Sequence, residues 1–537
     1  MKLVSVSEMK RIEQEADASG YRYRDMMKAA GNQLAEVIHT LYVPEEDNIA
    51  LGLVGGGNNG GDTLVALSRL LSYGWQVRVY LTAERAADDE DLNFLREQDV
   101  EIVTAASDKQ QKILGEWLFT SSVLVDGVLG TGVTLPVKKA IADLLAFVRD
   151  FDEIPLVIAV DCPSGVDCDS GMVDESCIPA DITVCMEAIK TGMLKFPAFT
   201  YLGDLQVVPI GLPDEQLVEK HAAADVIDQA WVEEVLPDRD LDAHKGTFGT
   251  AMIVAGSMNY TGAAYLAGKA AYRVGTGLVR MAVPGPLHTA LAGQFPEATW
   301  LLVPHEMGVI AEGAMDLLGK HLDKISAMLI GPGLGTENTT AQFIKRFLNK
   351  EIIHGKKNGI GFLAADAGES EENSLNYPPL VIDADGLRLM AKQDDWFDLL
   401  PAGSVLTPHP GEMAVLTGLT VDEIQKDRIQ IARQYAEKWH QIVVLKGAMT
   451  VVANPDGRCS VLPVATSALA KAGTGDVLSG IITGLLAQGM EAYDAAAAGV
   501  WLHAEAGLAA ESWHGSSASV LAGDLLEALP EVFSNLW

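Results

Sequence analysis

Positive charge is scarce in this chain: 39 Lys and Arg stand against 73 Asp and Glu in 537 residues, a formal net charge of −34. That excess would repel a nucleic-acid backbone or an anionic membrane, so neither is expected as a partner. An anionic substrate must instead meet local cations or helix N-termini. Long apolar runs are also missing. No window offers 18 uncharged apolar residues, and the opening Met1–Glu8 turns polar before a secretory core develops, so neither a membrane span nor export is expected. Cysteines number five (Cys162, Cys168, Cys177, Cys185, Cys459), with no CxxC pair and no Cys/His zinc spacing. Four of them cluster, which leaves a redox or metal device open, but small apolar-like residues of a reducing cytosol are the favoured reading. A Walker A loop is absent as well: Gly262 to Lys269 has one residue too many and is followed by Ala270 where Ser or Thr is required.

What is present is the composition of a globular protein, 48% hydrophobic and 21% charged, in a chain longer than one core usually serves. Residues 7–41 carry a helical pattern. Apolar runs at 49–54, 76–81, 122–126, 156–161, 182–186 and 205–210 then alternate with helical spacing, which indicates a largely parallel sheet covered on both faces. The series stops near Gly211-Leu212-Pro213, and polar, acidic sequence runs to about 240. A boundary at 215–225 separates expected domains 1–218 and 225–537. Strands resume at 250–255, 278–283, 327–330, 380–383, 404–407, 442–445 and 449–453, with an alanine-rich helix at 263–274 and a mostly helical last hundred residues. In those, His503 and Glu505 read as solvated or core-satisfied. The expected class is α/β in both halves.

The second half carries its chemistry at Ala472-Gly473-Thr474-Gly475-Asp476, ahead of the apolar run Val477–Ile482. Glycines entering a helix expose N–H groups to phosphate. An aspartate there would repel phosphate unless it removes a proton from a hydroxyl attacking a phosphoryl group, the alternative being a simple N-cap. Lys446 is a point charge for phosphate, Glu412 a candidate for Mg²⁺ directly or through water, and His409 a ring positioned between prolines. In the first half, Gly55-Gly56-Gly57-Asn58-Asn59-Gly60 matches G-x-G-x-x-G, yet Glu84 comes late for the ribose carboxylate of a dinucleotide site. Asn58, Asn59 and Asp62 in this loop require another task. Asn59, Asp126 and Ser164 supply only oxygens, a set for a weakly held monovalent cation. Asp161 remains as a carboxylate for proton transfer, unless these strand-end aspartates merely cap turns.

Asn58-Asn59-Gly60-Gly61-Asp62, Leu129-Gly130-Thr131-Gly132, Asp161-Cys162-Pro163-Ser164-Gly165 and Ala188-Ile189-Lys190-Thr191-Gly192 together resemble the NAD(P)H-hydrate epimerase family. Thr63 and Cys162 depart from its common pattern. His409-Pro410-Gly411-Glu412, Lys446–Thr450 and Gly473–Asp476, with His244-Lys245-Gly246-xx-Gly249 and Gly331-Pro332-Gly333-Leu334-Gly335, resemble the ADP/ATP-dependent NAD(P)H-hydrate dehydratase family. The resemblance implies an N-terminal Rossmann-like three-layer domain followed by a ribokinase-like α/β domain. It implies that Asn58, Asn59, Gly60, Gly61, Asp62, Gly130, Thr131, Gly132, Val133, Thr134, Leu135, Pro136 and Asp161 hold the hydrated nucleotide, with K⁺ at Asn59, Asp126 and Ser164. In the second domain Ala263 (or its neighbour Ala264), Gly333, His409 and Asp476 would face that substrate, while Lys446, Gly447, Ala448, Met449, Thr450 and Gly475 hold ADP or ATP with Mg²⁺. The implied activity is bifunctional repair of NADHX and NADPHX by a cytoplasmic homo-oligomer, with Asp161 and Asp476 catalytic and Lys190 an electrostatic partner of Asp161. The rival readings are a ribokinase-like small-molecule kinase fused to a Rossmann-like binding module, a non-catalytic first domain, and an oxidoreductase using the Gly55–Gly60 loop.

Overall fold

The computed structural model describes residues 1–41, 48–214, 216–352 and 375–536. Two compact units divide it, Met1–Asp225 and Val226–Trp537. Among the described residues no helix is long and apolar enough to cross a membrane, and all five cysteines are buried free thiols.

After a short strand, Lys2–Val4, the first unit has two helices where the sequence shows one helical pattern, Val6–Ala18 and Tyr23–Leu41. Ser5 caps the former reciprocally with Glu8. Seven strands follow in the spatial order Glu101–Thr104, Gln76–Leu81, Ile49–Val54, Val123–Gly127, Leu156–Val160, Ile182–Met186, Asp204–Val208, all parallel. The two-residue period of Ile49–Val54 sorts its side chains. Ala50 and Val54 join the core under the helices Tyr23–Leu41 and Asn58–Ser72, whereas Leu51 and Leu53 pack with Trp117, Leu118, Leu144 and Val148 on the opposite face. These three layers are the Rossmann-like arrangement expected.

The second unit's sheet runs Thr299–Val303, Leu278–Pro284, Thr250–Val254, Ala327–Ile330, Leu380–Ile382, Val405–Leu406, Ile442–Leu445, Val451–Ala453, Cys459–Val461. The first seven are parallel and the last two antiparallel. The helices Thr261–Arg273, Thr474–Ala487, Ala492–His514 and Ala522–Ser534 contribute most of a single large core. Small residues set their spacing: a methyl group on Gly480 would fall 2.2 Å from Ala267 O, so the helices 261–273 and 474–487 touch backbone to backbone. This is the second α/β unit expected.

Candidate active sites

In the first unit, strand order reverses between Ile49–Val54 and Val123–Gly127, which opens a crevice at their carboxyl ends. A cavity of about 450 Å³ lies there. Asn58, Asn59 and Asp62, expected in a loop, instead occupy the first turns of the helix Asn58–Ser72, with Asn58, Asn59, Asp62, Gly130, Thr131, Gly132, Val133 and Asp161 on the cavity wall. Gly60, Gly61, Thr134, Leu135 and Pro136 do not line it. For the two glycines the reason is packing: a methyl group on Gly60 would sit 2.1 Å from Gly55 O, and on Gly61 2.6 Å from Met27 Sδ.

Beneath the cavity, Asn59 Nδ2 donates to Val160 O at 2.5 Å, and its Oδ1 lies against Gly130. Ser164 donates to Asp126 through Oγ (2.6 Å) and N (2.8 Å). Asp126 is fully buried with no ion pair among the described residues. Burial pushes its carboxyl upward against the Ser164 hydrogen bonds. Asp126 accepts from Val128 N, Ser164 N and Ser164 Oγ, and a buried carboxylate without a counter-cation has the charge that a monovalent ion would balance. Asp161, by contrast, has a cation of its own. Lys190 Nζ, fully buried, binds Asp161 Oδ1 and also Met186 O (3.0 Å), while Met186 N donates to the same Oδ1 at 3.0 Å. Burial alone would lower the Lys190 ammonium, but Asp161 outweighs it and holds the ammonium well above its ordinary value. Two residues that sequence reasoning missed complete this region. Arg85 ties down the glycine turn through Gly55 O (2.6 Å) and Gly57 O (3.2 Å), and Glu13 enters the cavity wall from the helix Val6–Ala18.

In the second unit the strand ends at 331–335, 383–386, 407–412 and 446–450 lie side by side in the sheet. A cavity of about 360 Å³ there is lined by His409, Lys446, Gly447, Ala448, Thr450, Thr474 and Gly475, with an apolar side that includes Leu462, Val464, Leu469 and Leu478. Met449 turns into the core instead. The helix begins at Thr474, earlier than the apolar run implies, so Asp476 stands in its first turn. Burial and then the charge of Asp383 raise its carboxyl to about 7, with Lys446 opposing. Lys446 Nζ binds Asp383 Oδ1 at 2.7 Å and lies 3.9 Å from Glu412 Oε2. Burial would lower this ammonium, yet the two carboxylates keep it above its ordinary value.

Glu412 does not stand free for Mg²⁺. Its Oε2 accepts from His409 N (3.0 Å), its Oε1 lies 3.2 Å from His409 Nε2, and the residue is 3% exposed. His409 Nδ1 accepts from Gly411 N and Glu412 N, so its proton is on Nε2, facing Glu412. Gly333 has a left-handed φ of 60°, and a methyl group there would meet Ala263 Cβ at 2.8 Å. These two residues therefore adjoin each other, though neither lines the cavity just described. Arg428 donates to Leu445 O and Lys446 O and so anchors the lysine turn. His503 proves core-satisfied: its Nε2 donates to Thr474 O at 2.9 Å, holding the first turn of the Asp476 helix, and burial drops the imidazole to about 4. Asp383, the partner of Lys446, was read only as a strand end.

Two α/β units, each gathering carboxylates and one lysine paired to an aspartate where strand ends meet a glycine-rich helix start, define a two-site enzyme for small nucleotide-like substrates. The family model described as NAD(P)H-hydrate dehydratase matches residues 251–353 and 364–531, and the one described as YjeF-related protein N-terminus matches 23–192. A protein of Moorella thermoacetica named bifunctional NAD(P)H-hydrate repair enzyme Nnr is 34% identical, the match covering 100% of this chain and 97% of that one. A protein of the same name from Salinibacter ruber is 36% identical, with 94% and 91% covered. Among solved structures, an ADP/ATP-dependent NAD(P)H-hydrate dehydratase from Bacillus subtilis, co-crystallized with ATP/Mg²⁺, is 32% identical and covers 58% of this chain and 99% of its own, with a TM-score of 0.47. The chain belongs to the family of bifunctional NAD(P)H-hydrate repair enzymes.

Proposed function

We propose that the first unit interconverts the R and S forms of NADHX and NADPHX, and that the second dehydrates the S form to NADH or NADPH at the expense of ADP or ATP. The observation that carries the second activity is Asp476, raised to about 7, in the first turn of a helix whose Thr474 and Gly475 line a cavity together with Lys446. Phosphate oxygens of the nucleotide meet the helix N-terminus and Lys446. Asp476 removes the proton of the ring hydroxyl as its oxygen attacks the terminal phosphorus, and AMP (from ADP) departs. The C–O bond then breaks with phosphate leaving, the ring nitrogen's lone pair assists, and loss of a ring proton restores the dihydronicotinamide. Hydroxide is a poor leaving group and phosphate a good one, hence the need for nucleotide.

Mg²⁺ would come with the phosphates and neutralise their charge. In the first unit, Asn59, Asp126 and Ser164 would hold K⁺, whose charge firms the floor of the cavity, and Asp161 with Lys190 faces the hydrated ring. A homo-oligomeric, cytoplasmic enzyme accords with this reading.

The test is incubation of the chain with mixed hydrate epimers, with and without ADP, ATP and K⁺, following dihydronicotinamide absorbance and free phosphate. Asp476→Asn should abolish nucleotide-dependent recovery of absorbance and leave epimerisation intact. A phosphorylated organic product in place of free phosphate would make the second unit a kinase, and full-rate dehydration by Asp476→Asn would remove the role given to this residue.

A further inference from the structure

The first cavity holds more carboxyls than its cations pair with. Glu13 from the helix Val6–Ala18, Asp62 from the helix Asn58–Ser72 and Asp161 from the end of the strand Leu156–Val160 all line it. Lys190 is committed to Asp161 and Met186 O. Lys10 also lines the cavity but is exposed and, among the described residues, makes no ion pair, and Arg85 spends its guanidinium on Gly55 O, Gly57 O and Asp89. Asp62 is only 7% exposed, yet among the described residues its carboxyl makes neither a hydrogen bond nor an ion pair. Glu13 makes none either.

A buried carboxyl without a partner keeps its proton rather than a charge. Burial, then the charges of Asp161 and Glu13, hold Asp62 well above the carboxylate range, with Lys190 and Arg85 opposing. Burial and then Asp161 raise Glu13, with Lys190 and Lys10 opposing. Asp161 is the member of the trio whose acceptor oxygen is already occupied.

Resting on the epimerase reading above, we infer that Asp62 is the proton carrier of epimerisation, with Glu13 as the neighbour that keeps the proton on it, while Asp161 and Lys190 form the fixed charge pair. The acid form of Asp62 protonates the ring hydroxyl. The C–O bond breaks, water leaves, and the nitrogen lone pair forms a C=N⁺ bond whose charge Asp161 faces. Water returns to either face of that carbon and yields a proton to the Asp62 carboxylate. The cycle restores every proton and needs no co-reactant.

The experiment uses the full chain, single hydrate epimers without nucleotide, and ¹⁸O-labelled water. The expected result is one labelled hydroxyl per epimerisation in the parent chain. For Asp62→Asn, kcat should fall at least about 100-fold, the range of general acid–base catalysis, with KM within about threefold. Glu13→Gln, at a half-buried position, should lower kcat about tenfold with KM unchanged. Because Asp62→Asn removes an unpaired carboxyl and keeps its shape, its unfolding temperature should not drop, which separates lost chemistry from lost fold. Retention of the original oxygen during epimerisation, or an Asp62→Asn kcat within threefold of the parent, overturns the inference and leaves the epimerase reading standing. A parent chain that does not interconvert the epimers overturns that reading and the inference with it.

Discussion

Lys446→Met isolates what the cation at the second unit's strand ends does. Its ammonium sits 2.7 Å from Asp383, a residue 1% exposed, and removing one partner of a buried pair costs about 3–5 kcal/mol. There is an independent ceiling. The carboxyl left behind can escape by taking up a proton, and at pH 7 that costs at most about 4 kcal/mol, because an ordinary aspartate titrates near 3.9 and each unit is worth about 1.4 kcal/mol. The same route costs only about 1.5 kcal/mol at pH 5. The destabilisation is therefore pH-dependent with a definite sign: the folded mutant binds a proton that the unfolded chain lacks above about 3.9, so the penalty grows as pH rises. At pH 7 the second unit's unfolding midpoint should drop by about 6–8 °C, and at pH 5 by about half of that or less. Adding Asp383→Asn removes the stranded charge, so the double variant should regain most of the stability at pH 7, a coupling of about 2–3 kcal/mol. It should not regain ADP-dependent dehydration, since the phosphate's counter-charge is still missing. Thermal unfolding of the four chains at both pH values checks this. Equal stability of Lys446→Met and parent at pH 7, or a double variant no better than the single, would refute the reasoning.

Because Asp476 must be in base form and is held at about 7 by burial and Asp383, kcat/KM for dehydration should fall about tenfold per unit as pH drops below 7 and level off above it; a pH–rate profile flat from 5.5 to 8 would contradict the assignment. His503 carries a stability signature of the opposite kind from the Lys446 variant. Its imidazole is lowered from 6.5 to about 4 by burial, so the unfolded chain binds the extra proton between those values. Its full contribution is present above about 6.5 and is lost as pH falls toward 4, up to about 3 kcal/mol in all. His503→Gln should flatten that part of the second unit's stability curve, as measured by urea unfolding between pH 4.5 and 7.

Most of the sheet was legible because buried parallel strands are short, continuous apolar runs that end in glycine or aspartate. The strands that escaped include the apolar run Thr299–Val303 and several that this signal does not reach. Glu101–Thr104 is an edge strand with no fully buried residue, and Cys459–Val461 has three residues. The start of the helix Asn58–Ser72 was hidden by Gly60 and Gly61, poor helix formers that are present because Gly55 O and Met27 leave no room for a side chain. Asp476, Lys446 and His409 were visible as residues whose chemistry has no simpler use beside glycine turns. Asp383 was not, because a strand-end aspartate looks like a turn cap and its partner lies 63 positions away. Glu13 was hidden among Glu8 and Glu15 on an amphipathic helix; only the fold shows that this stretch meets Asp62.

The two units solve one electrostatic problem alike. Each sets a single lysine against a strand-end aspartate, Lys190 with Asp161 and Lys446 with Asp383, and each leaves a second carboxyl close by, Asp62 or Asp476, without a direct cation of its own. One ammonium cannot neutralise two carboxylates, so the paired member takes the charge and the other is pushed toward its acid form. The depth of burial then decides which half of acid–base chemistry results. Asp62, 7% exposed, keeps its proton and is suited to give it to a departing hydroxyl. Asp476, half-buried and in a helix's first turn where the macrodipole favours the anion, stays near 7 and is suited to take one from an attacking hydroxyl. Expelling a hydroxyl requires an acid and phosphorylating one requires a base, so the same lysine–aspartate device serves both chemistries through differences in solvent access and in the place of the second carboxyl on its helix.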